Sequence, residues 1–365
     1  MIRILVVDDS ALVRKLFGQV LSQEADFEVA FARNGQEALD QLGTFKPHVI
    51  TLDVEMPQMD GLACLDRIMV LRPCPVVMVS SVTEAGADTT LAALRLGAVD
   101  FVAKPAGAVS LRMHEFAPVL KQSIRAASTA RLPASRRLRE RVQLNSAGAV
   151  ARPARTFTDA GEEDVTAAEG EGVVLVGTST GGPPALEALL VPLAATFPWP
   201  ILVAQHMPAG FTGPLARRLD GICALRVVEA AGSQPLQRGC IYIGRGDADI
   251  VITRRAAGLV VMAAPGRPDY LWHPSADRLV RSAMEHLPAK QLVGVLMTGM
   301  GNDGAAAMTE LHHRGGKTIA EAEETAIVWG MPGELVRAGG ASWVLPLPRI
   351  AQQLQRIVPV HATRP

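Results

Sequence analysis

Val-Val-Leu-Val-Gly-Thr-Ser-Thr-Gly-Gly-Pro-Pro, residues 173–184, passes from an apolar run through a turn of small residues into a helix. Ile-Arg-Ile-Leu-Val-Val-Asp-Asp, residues 2–9, is likewise an apolar run, and it ends in two carboxylates ahead of an amphipathic stretch. Apolar runs that alternate with amphipathic stretches predict parallel strands joined by helices. Both halves of the 365-residue chain continue in this way. The sequence therefore predicts two α/β domains, each with candidate functional residues where strands end.

The first predicted domain covers residues 1–125 and has a flavodoxin-like, five-stranded parallel sheet with five helices. Its helices include Ala11–Ser22 and Leu62–Leu71. The predicted strands are Ile2–Val7, Phe27–Ala32, His48–Leu52, Val76–Val79 and Val99–Val102.

The second predicted domain, residues 172–365, is larger and is expected to be a doubly wound α/β domain with a mainly parallel sheet. Its predicted helices are Pro184–Leu193, Ser275–His286 and Asp303–Arg314. Its predicted strands are Val173–Val176, Ile201–Ala204, Cys240–Ile243, Leu259–Met262, Leu292–Leu296 and Trp343–Leu345.

Residues 126–171 have little apolar periodicity and are predicted to be a flexible linker. Seven arginines lie between Arg131 and Arg155, whereas the end of the segment is acidic. A short helix at Arg136–Leu144 fits the pattern. The basic run suits either a solvated tether or contact with an acidic partner, and we expect the tether.

Composition excludes several classes of protein. Basic and acidic residues balance at 36 each, and aromatic residues are 4% of the chain, so neither a nucleic-acid partner nor a base-stacking surface is indicated. The four cysteines have no zinc-site spacing and suggest buried thiols in a reducing compartment. No secretory signal or membrane-spanning run is recognisable. We expect a cytoplasmic monomer.

Acidic side chains follow two strands of the first domain. Asp8 and Asp9 follow the first strand and Asp53 the third, while Ser80 and Lys104 follow the fourth and fifth. Three neighbouring carboxylates repel one another unless cations join them, which favours Mg²⁺ together with the lysine. The same charges suit the capture of a phosphoryl group on a carboxylate.

Four segments of this domain resemble the receiver domain of bacterial response regulators: Val-Val-Asp8-Asp9-Ser, Leu-Asp53-Val-Glu-Met-Pro-Gln-Met-Asp-Gly, Val-Ser80-Ser and Phe101-Val-Ala-Lys104-Pro. The resemblance implies that Asp53 accepts the phosphoryl group and that Asp8, Asp9, Asp53 and the Glu55 carbonyl hold magnesium. It also implies phosphoryl contacts from Ser80 and Lys104 and a switch role for Phe101.

The turn around Ser179 suits presentation of a nucleophile, because a strand–turn–helix places the hydroxyl near helical N–H groups that stabilise an oxyanion. We expect Gly177, Gly181 and Gly182 to clear space for a substrate carbonyl. The alternative is a phosphate- or dinucleotide-binding loop, although the turn has neither G-x-G-x-x-G nor a P-loop lysine.

A serine nucleophile needs a base and an orienting acid. His206 directly follows the strand Ile201–Ala204, and His273 is a competitor. Asp303 follows the strand Leu292–Leu296 and is the candidate acid, with a cap on the helix behind it as its simpler role.

Gly-Thr-Ser179-Thr-Gly-Gly, Gln-His206-Met-Pro-Ala-Gly-Phe, His-Pro-Ser-Ala-Asp at 273–277 and Thr-Gly-Met-Gly-Asn-Asp303-Gly-Ala resemble the catalytic domain of chemotaxis methylesterases. The resemblance implies a serine hydrolase with the triad Ser179, His206 and Asp303, and with Thr180 and the Met300 backbone supporting the oxyanion. It implies methyl esters and selected glutamines of chemoreceptors as substrates and a chemosensory histidine kinase as phosphodonor.

With that resemblance, we expect the receiver to dock over the serine edge until Asp53 is phosphorylated. An output domain that merely binds a partner, or one that binds DNA, would need no serine chemistry.

Overall fold

The computed structural model describes residues 1–81, 83–105, 113–132, 172–256 and 258–358. The chain forms two compact units, residues 1–148 and 149–365. The predicted linker helix at residues 136–144 lies outside the described residues. No described helix combines the length and apolar character needed to cross a membrane.

The first unit contains one five-stranded parallel sheet with the strand order β2-β1-β3-β4-β5. Strands β3 and β4 are buried at every position, which requires cover on both faces of the sheet. The predicted fold of this unit is confirmed. Asp53, the candidate phosphoacceptor, is the last residue of β3.

The elements are β1 (Ile2–Val7), α1 (Ala11–Leu21), β2 (Phe27–Ala32), α2 (Gly35–Thr44), β3 (Val49–Asp53), α3 (Gly61–Leu71), β4 (Val76–Ser80), α4 (Glu84–Leu96), β5 (Asp100–Ala103) and α5 (Met113–Ser128).

Local sequence explains where these helices begin. The side chains of Ser10, Asn34, Asp60 and Thr83 each accept a hydrogen bond from a backbone N–H in the first turn of α1, α2, α3 and α4 respectively. Such caps satisfy donors that would otherwise lack a helical partner. Each helix therefore starts at a defined distance from the preceding strand end, where the candidate site residues lie.

The second unit is built on a seven-stranded parallel sheet with the order β15-β14-β13-β6-β7-β10-β8. Its first elements are β6 (Val173–Thr178), α6 (Gly182–Leu190), β7 (Ile201–Gln205), α7 (Ala209–Ile222), β8 (Arg226–Ala230), β9 (Gln234–Pro235), β10 (Cys240–Gly244), β11 (Ala248–Arg255) and β12 (Gly258–Pro265). The remainder are α8 (Ala276–His286), a 3₁₀ turn (Ala289–Gln291), β13 (Leu292–Leu296), α9 (Ala305–His313), β14 (Lys317–Glu321), α10 (Met331–Arg337), β15 (Trp343–Leu345) and α11 (Leu347–Ile357).

The second sheet confirms the predicted α/β class, with two differences in detail. The predicted strand Leu259–Met262 is part of β12, which pairs antiparallel with β11 and β9 in a separate three-stranded sheet. Strands β8, β9, β11 and β14 were not predicted, because charged or polar residues interrupt their apolar runs. Glu321 is an example, since this carboxylate is buried at the end of β14.

Strand register brings three chain segments to one edge of this sheet. Thr178 pairs with Gln205 in neighbouring parallel strands, and Gly177 pairs with Leu296 on the other side. The residues that follow β6, β7 and β13 must therefore meet at the carboxyl ends of adjacent strands. Ser179, His206 and the turn that contains Asp303 are those residues.

Candidate active site and phosphoacceptor site

Ser179 is the first residue after β6 and is half-buried at the sheet edge. Its N–H donates to the carbonyl of Thr298 (3.0 Å), and its own carbonyl accepts from the N–H of Gly182 (2.7 Å). Helix α6 begins at Gly182, and its first turn contains the two prolines, as expected for N-terminal helical positions. The backbone on both sides of the serine is therefore fixed by hydrogen bonds.

Internal packing and backbone conformation explain why glycine occupies three positions of this turn. A Cβ at Gly177 would lie 2.8 Å from side-chain atoms of Ala276 and Leu296, and one at Gly182 would lie 1.9 Å from Gln205 Oε1. Gly181 adopts φ +77°, a conformation that favours glycine. The expectation that the glycines clear space for a substrate carbonyl is therefore replaced by an explanation from internal packing and backbone conformation.

His206 and Asp303 form a buried pair. His206 Nε2 lies 2.8 Å from Asp303 Oδ2, and both side chains are over nine-tenths buried. His206 Nδ1 is also buried and has no hydrogen-bond partner among the described residues. The imidazole therefore has one nitrogen engaged by a carboxylate and the other available to exchange a proton, which is the arrangement a general base requires.

Asp303 is held by the first turn of α8. Its carboxylate accepts from Ala276 N (2.7 Å), Asp277 N (3.1 Å) and Ser275 Oγ (2.8 Å). Burial acts to raise the pKa of Asp303, but the hydrogen bonds from His206 and from these N–H groups outweigh it and lower the pKa below its ordinary value. The carboxylate is thus ionised at neutral pH.

This arrangement corrects the simpler expectation for Asp303. Helix α9, which follows it, begins after Gly304 without a side-chain cap. The carboxylate of Asp303 instead satisfies N–H groups of the distant helix α8. No periodicity in the sequence could reveal this, because the two segments are far apart in the chain.

His273, the competing histidine, pairs with a different buried carboxylate. Its Nδ1 lies 3.0 Å from Asp249 Oδ1, and Asp249 is fully buried. The same carboxylate accepts from Ser275 N (2.8 Å) and forms an ion pair with Arg278. This second histidine–aspartate pair anchors the segment that leads into α8.

Two polar residues with no role assigned from the sequence join the three segments. Gln205 Nε2 donates to the carbonyls of Ser179 (3.1 Å) and His206 (2.9 Å). Thr298 accepts from Ser179 N through its carbonyl, and its Oγ1 donates to the Thr180 carbonyl (2.9 Å). Both lie inside motifs quoted above, but no spacing rule distinguishes them from their neighbours.

The candidate oxyanion segment lies directly against the serine. A Cβ at Gly299 would lie 2.8 Å from Ser179 Cβ, so the backbone that leads to Met300 passes beside Ser179. Thr180 is buried next to the serine in the chain. Behind this segment, the fully buried carboxylate of Glu321 accepts from the N–H of Thr298 (2.8 Å).

In the first unit, the acid cluster is assembled at the sheet edge. Asp8, Asp9 and Asp53 each place a carboxylate oxygen within 4.8 Å of the others. Lys104 Nζ lies 2.8 Å from Asp53 Oδ2 and 3.3 Å from Asp8 Oδ2.

Burial raises the pKa of Asp53 to about 6; the Lys104 ammonium partly offsets this rise, and the Asp8 carboxylate adds to it. An oxygen-only donor set with excess negative charge fits Mg²⁺.

The remaining receiver residues occupy different positions around this cluster. Ser80 is buried, and its hydroxyl donates to the carbonyl of Gly86 (3.2 Å). Glu55 is exposed, and its N–H lies 3.4 Å from Asp53 Oδ1. Phe101 is buried on β5. Asp9, Asp53, Glu55 and Lys104 line an open pocket of about 660 Å³.

Each unit matches a known protein family. Residues 4–114 match the response regulator receiver domain family, and residues 174–354 match the CheB methylesterase family. The catalytic domain of Thermotoga maritima CheB methylesterase aligns with a TM-score of 0.50 and 34% identity over 52% of this chain and 99% of that chain.

Relatives also match over nearly the whole length. A "Protein-glutamate methylesterase/protein-glutamine glutaminase 2" of Rhodopseudomonas palustris (strain BisB18) is 55% identical, covering 96% of both chains. A "Protein-glutamate methylesterase/protein-glutamine glutaminase 3" of Rhodospirillum rubrum is 51% identical over 97% of this chain and 95% of its own. With a receiver unit, a serine–histidine–aspartate edge and relatives of this similarity, the chain belongs to the CheB family of protein-glutamate methylesterases with receiver domains.

Proposed function

We propose that the chain hydrolyses glutamate methyl esters, and deamidates selected glutamines, on the cytoplasmic helices of chemoreceptors. The observation that carries the proposal is the buried His206–Asp303 pair at the strand end next to Ser179, with His206 Nδ1 left unpartnered among the described residues. The family and the names of its relatives support the choice of substrate.

In the proposed reaction, Ser179 Oγ attacks the carbonyl carbon of the side-chain ester while His206 Nδ1 takes the serine proton. Asp303 keeps the Nε2–H tautomer and stabilises the imidazolium that forms. The tetrahedral oxyanion lies against the backbone N–H groups of Thr180 and Met300.

Collapse of that intermediate breaks the carbon–oxygen bond to the methoxy group, and His206 returns the proton so that methanol leaves. Water then loses a proton to His206 and cleaves the acyl-enzyme, which releases glutamate and regenerates the serine hydroxyl. With a glutamine substrate, the same steps expel ammonia.

We propose that phosphorylation of Asp53 by a histidine kinase raises this activity. Asp8, Asp9 and Asp53, with the Glu55 carbonyl, would hold a magnesium ion, which when bound supplies positive charge to the phosphoryl oxygens. Lys104 lies close enough to Asp53 to contact the phosphoryl group. Ser80 is the second candidate phosphoryl contact, and Phe101 is the candidate switch residue.

We further propose that the enzyme acts in the cytoplasm as a monomer. The receptor helices and the kinase that this function requires are cytoplasmic, and all four cysteines are buried and free, as is usual in a reducing compartment.

The decisive experiment measures methanol release from receptor membranes that carry radiolabelled methyl esters. We expect Ser179→Ala to lower the rate by at least about a thousandfold, because the nucleophile is lost. Ser233→Ala, a substitution of an exposed serine in the same unit, is expected to have the wild-type rate. Near-native ester hydrolysis by Ser179→Ala would refute the assignment.

A further inference from the structure

An aromatic side chain outside the catalytic motifs lies against the candidate base. The rings of Trp272 and His206 are parallel within 2°, and their centroids are 5.4 Å apart. Trp272 is half-buried and belongs to the connection between β12 and α8. This separation is in the range of favourable aromatic stacking.

The position of this indole is determined by contacts on two sides. The residues that follow it, His273 and Ser275, are both bound by the fully buried carboxylate of Asp249. On the other side, a Cβ at Gly301 would lie 2.9 Å from the indole, so glycine is needed there for the ring to fit. Gly301 also adopts φ +86°.

A stacked indole has two physical effects on an imidazole. Its face limits tilting of the ring, which keeps Nε2 directed at Asp303 and Nδ1 directed at a proton donor. The negative face of the indole also attracts the positive charge that the imidazole gains on protonation.

We propose that Trp272 is a positioning residue for His206, which holds the imidazole plane and stabilises the imidazolium formed in each half of the reaction. The proposal rests on the hydrolase function proposed above. It concerns the acylation and deacylation steps, in both of which His206 carries the proton between serine or water and the leaving group.

The charged groups around His206 come from several elements. Asp303 contacts Nε2 from the turn after β13, and Asp277 in α8 interacts with Asp303. Arg245 and Asp247 in the loop after β10 lie 3.7 Å from each other as an exposed pair. The turn after β6 contributes Ser179 and Thr180, which are neutral. His273 and the Asp249–Arg278 ion pair adjoin Trp272, so substitutions of different size at this position are used to separate the effect of the indole from movement of these charges.

The test uses the full chain with ¹³Cε1-labelled histidine, and the His206 signal is assigned with a His206→Gln variant. Trp272→Leu and Trp272→Met keep apolar cover over the imidazole but remove the π face. We expect both to lower the pKa of His206 by about half a unit to one unit. Trp272→Phe is expected to restore part of the shift.

The matched control is Trp343→Leu, at the opposite edge of the sheet on β15, where Lys317 approaches the indole. We expect it to leave the pKa of His206 unchanged. In methanol-release assays, Trp272→Leu is expected to lower kcat by about tenfold with little change in KM, since the effect is on the base rather than on substrate binding.

Two results would overturn the proposal. One is that folded Trp272→Leu and Trp272→Met have the wild-type His206 titration and the wild-type kcat. The other is a rise in KM alone, which would make Trp272 a substrate contact. The NMR measurement needs no enzymatic activity. If the wild type released no methanol, the proposed function would fail while the titration would still test the stacking.

Discussion

One side-chain amide connects the candidate nucleophile to the candidate base. Gln205 is almost fully buried, and its two N–H bonds point to the carbonyls of Ser179 and His206. A buried carbonyl that loses its donor costs about 1–3 kcal/mol. The glutamine thus contributes both to the stability of this edge and to the spacing of the two residues.

We expect Gln205→Glu to lower kcat by about ten- to a hundredfold, because a carboxylate of the same shape can donate to neither carbonyl when ionised. KM should change little. Gln355→Glu, on the exposed side of α11, is the matched control. Wild-type kcat in a folded Gln205→Glu variant would show that the two carbonyls need no such donor.

The lowered pKa of Asp303 gives a pH prediction with a definite sign. Its stabilising contribution is complete above the unfolded pKa of about 3.9 and is lost as the pH falls through the lower folded value. The difference in the free energy of unfolding between wild type and Asp303→Asn should therefore shrink as the pH falls below about 4. Chemical denaturation in the acid range measures it, and a difference that stays constant through that range would show that the pKa of Asp303 is not lowered.

The end of β14 supports the turn after β13. Glu321 is fully buried, and its carboxylate accepts from the N–H of Thr298 and from Thr325 Oγ1 (3.0 Å). Thr298 in turn binds both sides of the Ser179 turn. Strand β14, through the buried carboxylate of Glu321, therefore positions the candidate oxyanion segment.

We expect Glu321→Ala to destabilise the fold by about 1–3 kcal/mol, since it leaves the Thr298 N–H buried without its acceptor. Its kcat should fall by more than its KM rises. Glu310→Ala removes an exposed carboxylate paired with Arg314 and is the control. If thermal melting and kcat of Glu321→Ala matched those of Glu310→Ala, the supporting role of β14 would be disproved.

The chain joins a receiver unit to a methylesterase unit. The acid cluster contains the chemistry to receive a phosphoryl group, and phosphorylation adds nearly two negative charges there. That charge is the signal by which we propose the first unit controls the second.

We expect Asp53→Ala to abolish the increase in methanol release caused by a small-molecule phosphodonor while basal hydrolysis is retained. Asp40→Ala, a substitution of an exposed aspartate of the same unit, should keep the full response.

We also expect a fragment of residues 172–365 to be more active than the unphosphorylated chain. A fragment with equal activity would count against restraint by the receiver.

The fold class and the candidates for chemistry follow from the sequence. Apolar runs of strand length are local signals, so β1 to β5, β6, β7, β10 and β13 could be predicted without tertiary information. Side chains directly after parallel strands collect at one edge, which made Ser179, His206 and Asp303 candidates, and the resemblance to chemotaxis methylesterases implied that they form a triad.

Tertiary structure alone decided how those candidates are held. The cap expected from Asp303 is made to α8 rather than to α9, Gln205 joins two strand ends, and Glu321 is buried in a strand that the sequence pattern did not predict. Each of these contacts links residues that are distant in the chain or ambiguous in polarity. A polar side chain has no periodic signature, and its partner is chosen by which strands are neighbours in the sheet, so only the folded chain defines these contacts.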